Sequence, residues 1–327
     1  MVVETTLVLI VKSIVIFLVM FSVAPVLTWL ERKVMSRIQS RYGPNRVGPK
    51  GLIQPMADAF KLMSKERFTP ETAVPWMMAI APVISVTTAV ATLAVLPFGP
   101  FDAWGGEFGL YGIDVSIGLL YFFAFGAIAF YGLMLGGWAS GSKYSFLGAM
   151  RSAAQLISYE VALGLSLLGV AMTAGSLSLV DIVESQGDMW YIVPQAVGFL
   201  VFLIAGLAET ARVPFDLPEA DAEIVAGYNT EYGGMRFGAF FLAEYVEMIV
   251  IAGVASACFL GGWHGPGPEA LAPLWMMTKI LALIVFFMWL RFTVPRLRYD
   301  QLMSLGWKFL LPVATLNVLV TAIFVAT

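Results

Sequence analysis

The sequence predicts an all-α integral membrane protein with about eight transmembrane helices and one further helix at the membrane interface. Of its 327 residues, 59% are hydrophobic and 13% are charged, which is far from the composition of a soluble globular domain. A spanning helix requires roughly 20 apolar residues. Windows of that kind run over 5–29, 74–97, 115–137, 152–174, 192–208, 237–262, 271–290 and 307–326. We therefore expect a single polytopic membrane domain covering 1–327.

The distribution of basic residues predicts the orientation of this domain. Lysines and arginines between the windows lie in the first, third, fifth and seventh connections, whereas the second, fourth and sixth connections contain neither. Because connections rich in Lys and Arg stay in the cytoplasm, we expect the odd connections there and both termini on the outer side. The same grouping into separate blocks disfavours a nucleic-acid partner, which requires a basic stripe or face.

The first connection, 30–73, is predicted to contain structure of its own. Its GPNRVGP stretch (43–49) has the glycines and prolines of a turn. Over 52–66, apolar and polar residues form two stripes at helical spacing, which predicts an amphipathic helix lying in the interface. The helix is either a simple interfacial anchor or the frame of an access route for a lipid-soluble substrate. Its apolar stripe comprises Leu52, Met56, Phe60 and Met63, and its polar stripe comprises Gln54, Asp58, Lys61 and Lys65.

The fifth connection, 209–236, is the most unusual segment because it is acidic and adjoins two apolar windows. Ionised groups close to hydrocarbon are costly unless they are paired, hydrated or protonated, so this density predicts a place where protons or charge move. An ordinary solvated loop is the plain alternative. Arg212, three residues after Glu209, is in range to pair with it. The acids are Glu209, Asp216, Glu219, Asp221, Glu223 and Glu231, followed by Glu244 and Glu247 in the sixth window.

Charged residues inside the windows are further candidates. Glu160 lies near the middle of the fourth window, in a helix without a cation to neutralise it, so we expect it to exchange protons. The structural alternative is a neutral acid that is hydrogen-bonded to a neighbouring helix. Glu244 and Glu247 share a helix face; a role in charge movement is favoured for Glu244, whereas only its spacing supports Glu247. Lys279 is a candidate counter-ion to a carboxylate, and Lys12 is assigned no role.

The chain contains few cysteines and histidines, which limits the metal chemistry it can support. Cys258 is the only cysteine and His264 is the only histidine. One of each is too few for an iron–sulfur cluster, a zinc site or a haem held by two histidines. We therefore expect no catalytic residue and no redox centre on this chain alone, and we expect any redox centre to be carried by a partner.

Five strings of sequence carry a resemblance to a known family. In order and spacing, across almost the whole chain, they resemble the membrane component of respiratory complex I that is called the H subunit in bacteria. One departure is Asp221, which stands where that family more often has Glu. The strings are ERKVMSRIQSRYGPNRVGPKGLIQPMADAFKL (31–62), QLISYE (155–160), AETARVPFDLPEADAEIVAGYNTEY (208–232), MRFGAFFLAEY (235–245) and PRLRYDQLM (295–303).

The resemblance implies a subunit of proton-translocating NADH:quinone oxidoreductase that forms the quinone chamber. Ubiquinone or another quinone is then a substrate, while FMN and iron–sulfur clusters belong to partner subunits. The implied partners are hydrophilic quinone-site subunits, antiporter-like membrane subunits and membrane lipid. The implied location is the bacterial inner membrane or the mitochondrial inner membrane.

The resemblance also implies roles for individual residues. Proton-pathway and coupling roles fall on Tyr159, Glu160, Glu209, Asp216, Glu219, Asp221, Glu223, Glu231, Glu244 and Tyr245. Quinone-chamber roles fall on Arg32, Arg212, Tyr228, Arg291, Arg296 and Arg298.

Three alternatives remain at this point. The membrane anchor of an energy-converting hydrogenase belongs to a related machine without a quinone chamber, and the strings at 31–62 and 208–245 favour the quinone enzyme over it. A stand-alone transporter is disfavoured because the chain shows no internal repeat. A purely structural scaffold predicts that neutralising the buried acids affects assembly only.

Overall fold

Helices form almost all of the regular structure in the computed structural model, which describes residues 2–103, 106–217 and 221–326. Each of the eight apolar windows coincides with a helix. Short 3₁₀ turns lie at Pro49–Gly51, Gly227–Asn229 and Glu269–Leu271, and a π-helical turn lies at Gly306–Leu310. The helices are α1 (Val2–Ile38), α2 (Gln54–Ser64), α3 (Pro75–Leu93), α4 (Gly118–Ala139), α5 (Lys143–Ala174), α6 (Leu179–Glu184), α7 (Ala196–Glu209), α8 (Asp221–Ile224), α9 (Gly234–Phe259), α10 (Ala272–Thr293), α11 (Tyr299–Leu305) and α12 (Leu311–Ala326).

Six helical segments among the described residues are long and apolar enough to cross a membrane. They are α3, α4, α5, α9, α10 and the continuous segment Tyr299–Ala326 that contains α11 and α12. Helix α7 is apolar but has only 14 residues. Helix α1 covers the first window, although most side chains of 1–21, including that of Lys12, lie outside the described set. The fold class is therefore confirmed, while the count of eight spans stays a prediction.

A β-hairpin in the second connection was not predicted from the sequence. Strands β1 (Pro100–Ala103) and β2 (Gly106–Gly109) pair in antiparallel register, with Pro100 opposite Gly109. Two backbone hydrogen bonds between 98–99 and 110 continue the ladder beyond the strands. The chain there is short and rich in Gly and Pro, so it lacks the alternating pattern that predicts strands.

Helix α9 lies at the centre of the bundle. Every residue from Met248 to Phe259 is buried, as expected for a helix that is apolar on all sides. Small residues allow close packing of its neighbours, because a Cβ at Gly253 or Gly206 would meet the side chain of Leu96 or Ile251 at 2.6 Å. The part of α9 before Met248 carries the acids Glu244 and Glu247, so the fold brings both of them to the bundle interior.

Helix α2 is amphipathic, as predicted, and it is slightly shorter than the expected 52–66. Its polar face contacts α1, because Asp58 accepts hydrogen bonds from Arg32 Nη1 at 2.7 Å and from Gln54 Nε2 at 3.0 Å. The opposite, apolar face is exposed: Met56 and Phe60 are 64% and 67% accessible. In a membrane protein such a face is available to lipid or to an apolar ligand.

The environment of Lys279 differs from the expectation. Its ammonium donates to the carbonyl oxygens of Leu260, Gly262 and His264 at 2.6, 2.8 and 2.7 Å and lies 4.3 Å from the ring centroid of Trp190. The role of counter-ion to a carboxylate is therefore wrong. Carbonyls that follow a helix C-terminus lack intrahelical donors and attract cations, and the end of α9 provides such a place for Lys279.

We expect Lys279→Met to destabilise the end of the bundle where α9 terminates. Three carbonyls lose a charged donor, which corresponds to about 3 kcal/mol of unfolding free energy. The measurement is the thermal midpoint of the detergent-solubilised protein, with Lys308→Met as control because Lys308 is exposed. An unchanged midpoint for Lys279→Met would show that the three hydrogen bonds contribute little.

Candidate functional site

The turn between α7 and α8 positions the charged residues of the site. Helix α7 ends at Glu209, and the chain then reverses through Ala211, whose φ is +50°. Two anchors hold the turn. The side-chain amide of Gln155 on α5 donates to the carbonyls of Ala208 and Phe215 at 2.7 and 2.8 Å, and the backbone N–H of 297 donates to the carbonyl of 214 at 3.0 Å. The turn therefore directs Glu209 and Arg212 to different neighbours.

The buried guanidinium of Arg212, 3% exposed, joins residues from two helices, α1 and α9. Its Nη1 donates to Glu31 Oε2 at 2.7 Å, and its Nε lies 3.1 Å from Glu244 Oε1. Glu31 also accepts from the hydroxyl of Tyr245 at 2.6 Å and forms an ion pair with Arg291. We refer to Glu31, Arg212, Glu244, Tyr245 and Arg291 as the charge cluster.

The charge cluster contains two carboxylates and two guanidinium groups, so its formal charges balance. Burial alone would lower the pKa of Arg212, but Glu244 and Glu31 raise that pKa above its ordinary value overall. The ring of Tyr245, with its centroid 4.3 Å from Arg212 Cζ, adds a cation–π contact. Arg212 is therefore a permanent positive charge between two carboxylates.

A cleft lies on the other side of Glu244. It comprises about 530 Å³ of space, which includes open solvent, and is lined by Glu209, Glu244 and Glu247 together with Ser85 and Tyr228. We call it the carboxylate cleft. Three acids from α7 and α9 thus face one space, and Glu244 belongs both to this cleft and to the charge cluster.

Two smaller clefts adjoin the carboxylate cleft. The first is lined by Glu209 and Glu247 together with the hydroxyl-bearing side chains Thr88 and Thr92. The second is lined by Glu209 and Glu160 among apolar neighbours. Glu209 lines all three clefts, so it is the acid that they share.

The expected pairing of Arg212 with Glu209 is wrong. Arg212 contacts Glu31 and Glu244 instead, and Glu209 Oε2 is buried without a hydrogen-bond partner among the described residues. Residues three apart meet on a continuous helix, whereas α7 ends at Glu209. The reversal at Ala211 turns Arg212 away from it.

Tyr159 and Glu160 are neighbours in sequence but point to different surroundings. The Tyr159 hydroxyl donates to the carbonyl of Leu302 at 2.9 Å, and its ring packs 5.7 Å from that of Phe215. Consecutive residues on a helix are about 100° apart, so Glu160 faces its cleft while Tyr159 fastens α5 to α11. The structure therefore does not bring Tyr159 to the carboxylates, contrary to expectation.

The remaining predicted acids lie outside the three clefts or outside the described residues. Glu223 is 41% exposed and pairs with Arg151 at 2.5 Å and Arg296 at 3.5 Å. Asp216 lies close enough to interact electrostatically with Glu244. Glu231 lines none of the three clefts. Glu219 and the side chain of Asp221 lie outside the described residues.

The predicted quinone-chamber residues do not form one group. Tyr228 lines the carboxylate cleft and packs edge-on against Phe240 at 5.3 Å, while Arg212 and Arg291 belong to the charge cluster. The other three form ion pairs elsewhere: Arg32 with Asp58 at 2.7 Å, Arg296 with Glu223 and the largely exposed Arg298 with Asp300 at 3.2 Å.

Three residues that matter for the site had a weak signal in the sequence or none. Glu31 was not singled out, although an acid at the end of an apolar helix in a basic segment indicates a structural ion pair. Glu247 was underrated, because its helical spacing from Glu244 does bring it into the same cleft. Gln155 carried no signal in sequence, since a polar side chain that binds backbone carbonyls leaves no pattern.

We expect Glu31→Gln to destabilise the protein more than a matched surface change. It leaves the buried guanidinium of Arg212 and the partly exposed guanidinium of Arg291 with a single carboxylate. Removing one partner of a buried pair typically costs about 3–5 kcal/mol. The measurement is the amount of folded chain in membranes and its thermal midpoint after extraction. Glu223→Gln serves as control because Glu223 is exposed; equal effects of both changes would contradict a special role for the charge cluster.

Comparison with known proteins extends these observations to a family. The family model described as NADH dehydrogenase matches residues 11–322. The chain is 53% identical over 312 residues to the H 1 subunit of NADH-quinone oxidoreductase from Geobacter metallireducens, covering 95% of this chain and 94% of that protein. It is 51% identical over 321 residues to the H 2 subunit from Syntrophobacter fumaroxidans, covering 98% and 96%.

A more distant relative agrees with this result. The H subunit of NADH-quinone oxidoreductase from Thermomicrobium roseum is 49% identical over 308 residues, covering 91% of this chain and 90% of that protein. The range matched by the family model, 11–322, includes all residues of the charge cluster and of the three clefts rather than one motif. The chain belongs to the NADH dehydrogenase family, as an H-type membrane subunit of NADH-quinone oxidoreductase.

Proposed function

We propose that this protein forms the quinone-access chamber of the complex and links quinone reduction to proton translocation through its buried carboxylates. The observation that carries the proposal is that Glu244 belongs both to the charge cluster and to the carboxylate cleft. This residue contacts Arg212 in the charge cluster and lines the carboxylate cleft with Glu209 and Glu247. A change of charge in the charge cluster therefore acts through Glu244 on the acids of the carboxylate cleft.

The chemistry of quinone reduction provides such a change. Converting a quinone to a quinol requires two electrons and two protons. In this proposal the electrons come from an iron–sulfur cluster on a partner subunit, which receives them from NADH through FMN. Uptake of the protons alters the charge near the basic residues of the chamber, among them Arg212 and Arg291. Because opposite charges a few ångströms apart interact strongly in a buried site, Glu244 responds.

Glu209 is the next group in the proposed path. It lines the carboxylate cleft and both adjoining clefts, and its charge interacts with those of Glu247 and Glu160. Acids that share a cleft do not titrate independently, so a proton gained or lost at Glu244 redistributes over the group. The change in protonation then reaches Glu160, which in this proposal lies on the far side of Glu209, towards the antiporter-like partner subunits.

The access route for the quinone is proposed to pass beside α2. The exposed apolar face of this helix carries Met56, Phe60 and Met63, which suits an isoprenoid chain arriving from the bilayer. The proposed orientation places both termini outside and the basic connections in the cytoplasm or its equivalent, in contact with the hydrophilic quinone-site subunits. The membrane is that of the bacterial cell or the inner mitochondrial membrane.

We expect Glu209→Gln to lower quinone-linked NADH oxidation and proton pumping by at least about tenfold, because a positioned proton-transfer group contributes on that scale or more. The assay uses membrane vesicles that contain the assembled complex, with pumping followed by a pH-sensitive dye. Asp300→Asn is the matched control, since Asp300 is exposed and pairs at the surface with Arg298. Wild-type pumping by Glu209→Gln in fully assembled complex would refute the proposed path.

We expect Glu247→Gln and Glu160→Gln to lower pumping as well, although neither residue belongs to the charge cluster. The reason is that each lines a cleft together with Glu209. A scaffold role predicts instead that these variants reduce assembly and leave the pumping rate per assembled complex unchanged. Quantifying assembled complex on native gels beside each rate separates the two outcomes.

A further inference from the structure

A fully buried glutamine holds both ends of the turn that carries the site. Gln155 on α5 is 0% exposed, and its Nε2 donates to the carbonyls of Ala208 and Phe215. These carbonyls immediately precede Glu209 and Asp216 in the chain. One side chain therefore ties the beginning and the end of the turn to the same helix.

The turn carries two charged residues, which face different parts of the site. Glu209, at its beginning, lines the carboxylate cleft, whereas Arg212, in its middle, belongs to the charge cluster. The positive φ of Ala211 shows that the backbone between them is outside the helical region. A short non-helical segment therefore separates the residue in the carboxylate cleft from the residue in the charge cluster. Such a segment opens locally unless contacts from outside hold it in place.

The hydrogen bonding of Gln155 is one-sided. The two carbonyl acceptors fix which end of the amide is nitrogen, and Oε1 is buried without a hydrogen-bond partner among the described residues. Gln186, at the opposite end of the bundle, is also 0% exposed and also donates to two carbonyls, but its oxygen accepts from the backbone N–H groups of Tyr191 and Gly261 at 3.1 and 3.0 Å.

This contrast indicates what each glutamine contributes. A buried amide with all its groups paired stabilises the fold, whereas one with an unpaired acceptor is a poor solution for stability alone. Gln186 joins two loops, and both its amide nitrogen and its amide oxygen form hydrogen bonds. Gln155 has no partner for its acceptor among the described residues, and its donor binds the turn that connects cluster and cleft.

We propose that Gln155 is a positioning residue, which sets the placement of Glu209 relative to Arg212 by clamping the turn 208–215 to α5. This inference rests on the proposed function for its consequence in catalysis, but its structural part does not. Gln155 itself lines none of the three clefts, so it acts through Glu209 and Arg212.

The first test measures the clamp directly in the assembled complex. Gln155→Met keeps the length of the side chain and removes both hydrogen bonds. Hydrogen–deuterium exchange of backbone amides in 208–217 should accelerate by about tenfold, because the opening of a segment becomes easier when its anchoring bonds are lost. Gln186→Met is the matched control and should leave exchange in 208–217 unchanged. Unchanged exchange in Gln155→Met would overturn the proposal.

The second test asks whether Gln155 acts through Glu209. We expect Gln155→Met to lower quinone-linked proton pumping by about tenfold. In a double-mutant cycle, adding Gln155→Met to Glu209→Gln should cause little further loss, since both changes disable the same step. Fold losses that multiply would show a separate, merely structural effect and would overturn the proposal. Gln186→Met combined with Glu209→Gln should lose no more than Glu209→Gln alone.

The outcomes remain distinguishable if a variant assembles poorly. Gln155→His retains one N–H donor in reach of a carbonyl and should restore part of both the exchange protection and the pumping. Failure of both Gln155 variants to assemble would overturn the proposal, because Gln155 would then serve folding. Wild-type pumping by Glu209→Gln would refute the proposed function, while the exchange experiment would still decide the role of Gln155 in the turn.

Discussion

The buried guanidinium of Arg212, held between Glu31 and Glu244, is the interaction on which the rest of the site depends. Each buried ion loses several kcal/mol of hydration, and a single partner rarely offsets this loss. Two carboxylates within about 3 Å oppose this loss more strongly than one, because their attraction acts in a medium of low dielectric constant. The arrangement forms only when α1, α9 and the turn after α7 are all in place. The charges of the cluster are therefore balanced only in the assembled tertiary structure.

The two halves of α9 explain how acids are retained inside an apolar bundle. From Met248 onward the helix is buried on every side and makes the tight contacts that hold the bundle together. Before Met248 the same helix presents Glu244 to Arg212 and Glu247 to the clefts. The buried part of the helix therefore sets the direction of both acids, and the clefts leave beside them space that tight packing would fill.

Sequence reasoning located the important segment but assigned some of its contacts wrongly. The acidic density after α7 and the acid in the middle of α5 were found because carboxylates are rare near hydrocarbon. The pairing of Arg212 with Glu209 was wrong because it assumed a continuous helix, and the role of Lys279 was wrong because backbone carbonyls, which every sequence has, proved to be its partners. Glu31 was overlooked because its partners lie 181 and 260 residues away along the chain.

By itself, the sequence determined the class of the protein, the position of its apolar helices, its amphipathic helix and the family to which it belongs. The class and the helices follow from local composition and periodicity, which each segment expresses independently of the others, whereas the family follows from the resemblance of five long strings. Only the tertiary structure decided that Arg212 faces Glu31 and Glu244, that Glu209 lines three clefts and that Gln155 anchors the turn between them. Such contacts join residues far apart in the chain, and their geometry depends on where helices end and how the bundle packs, which no local pattern records.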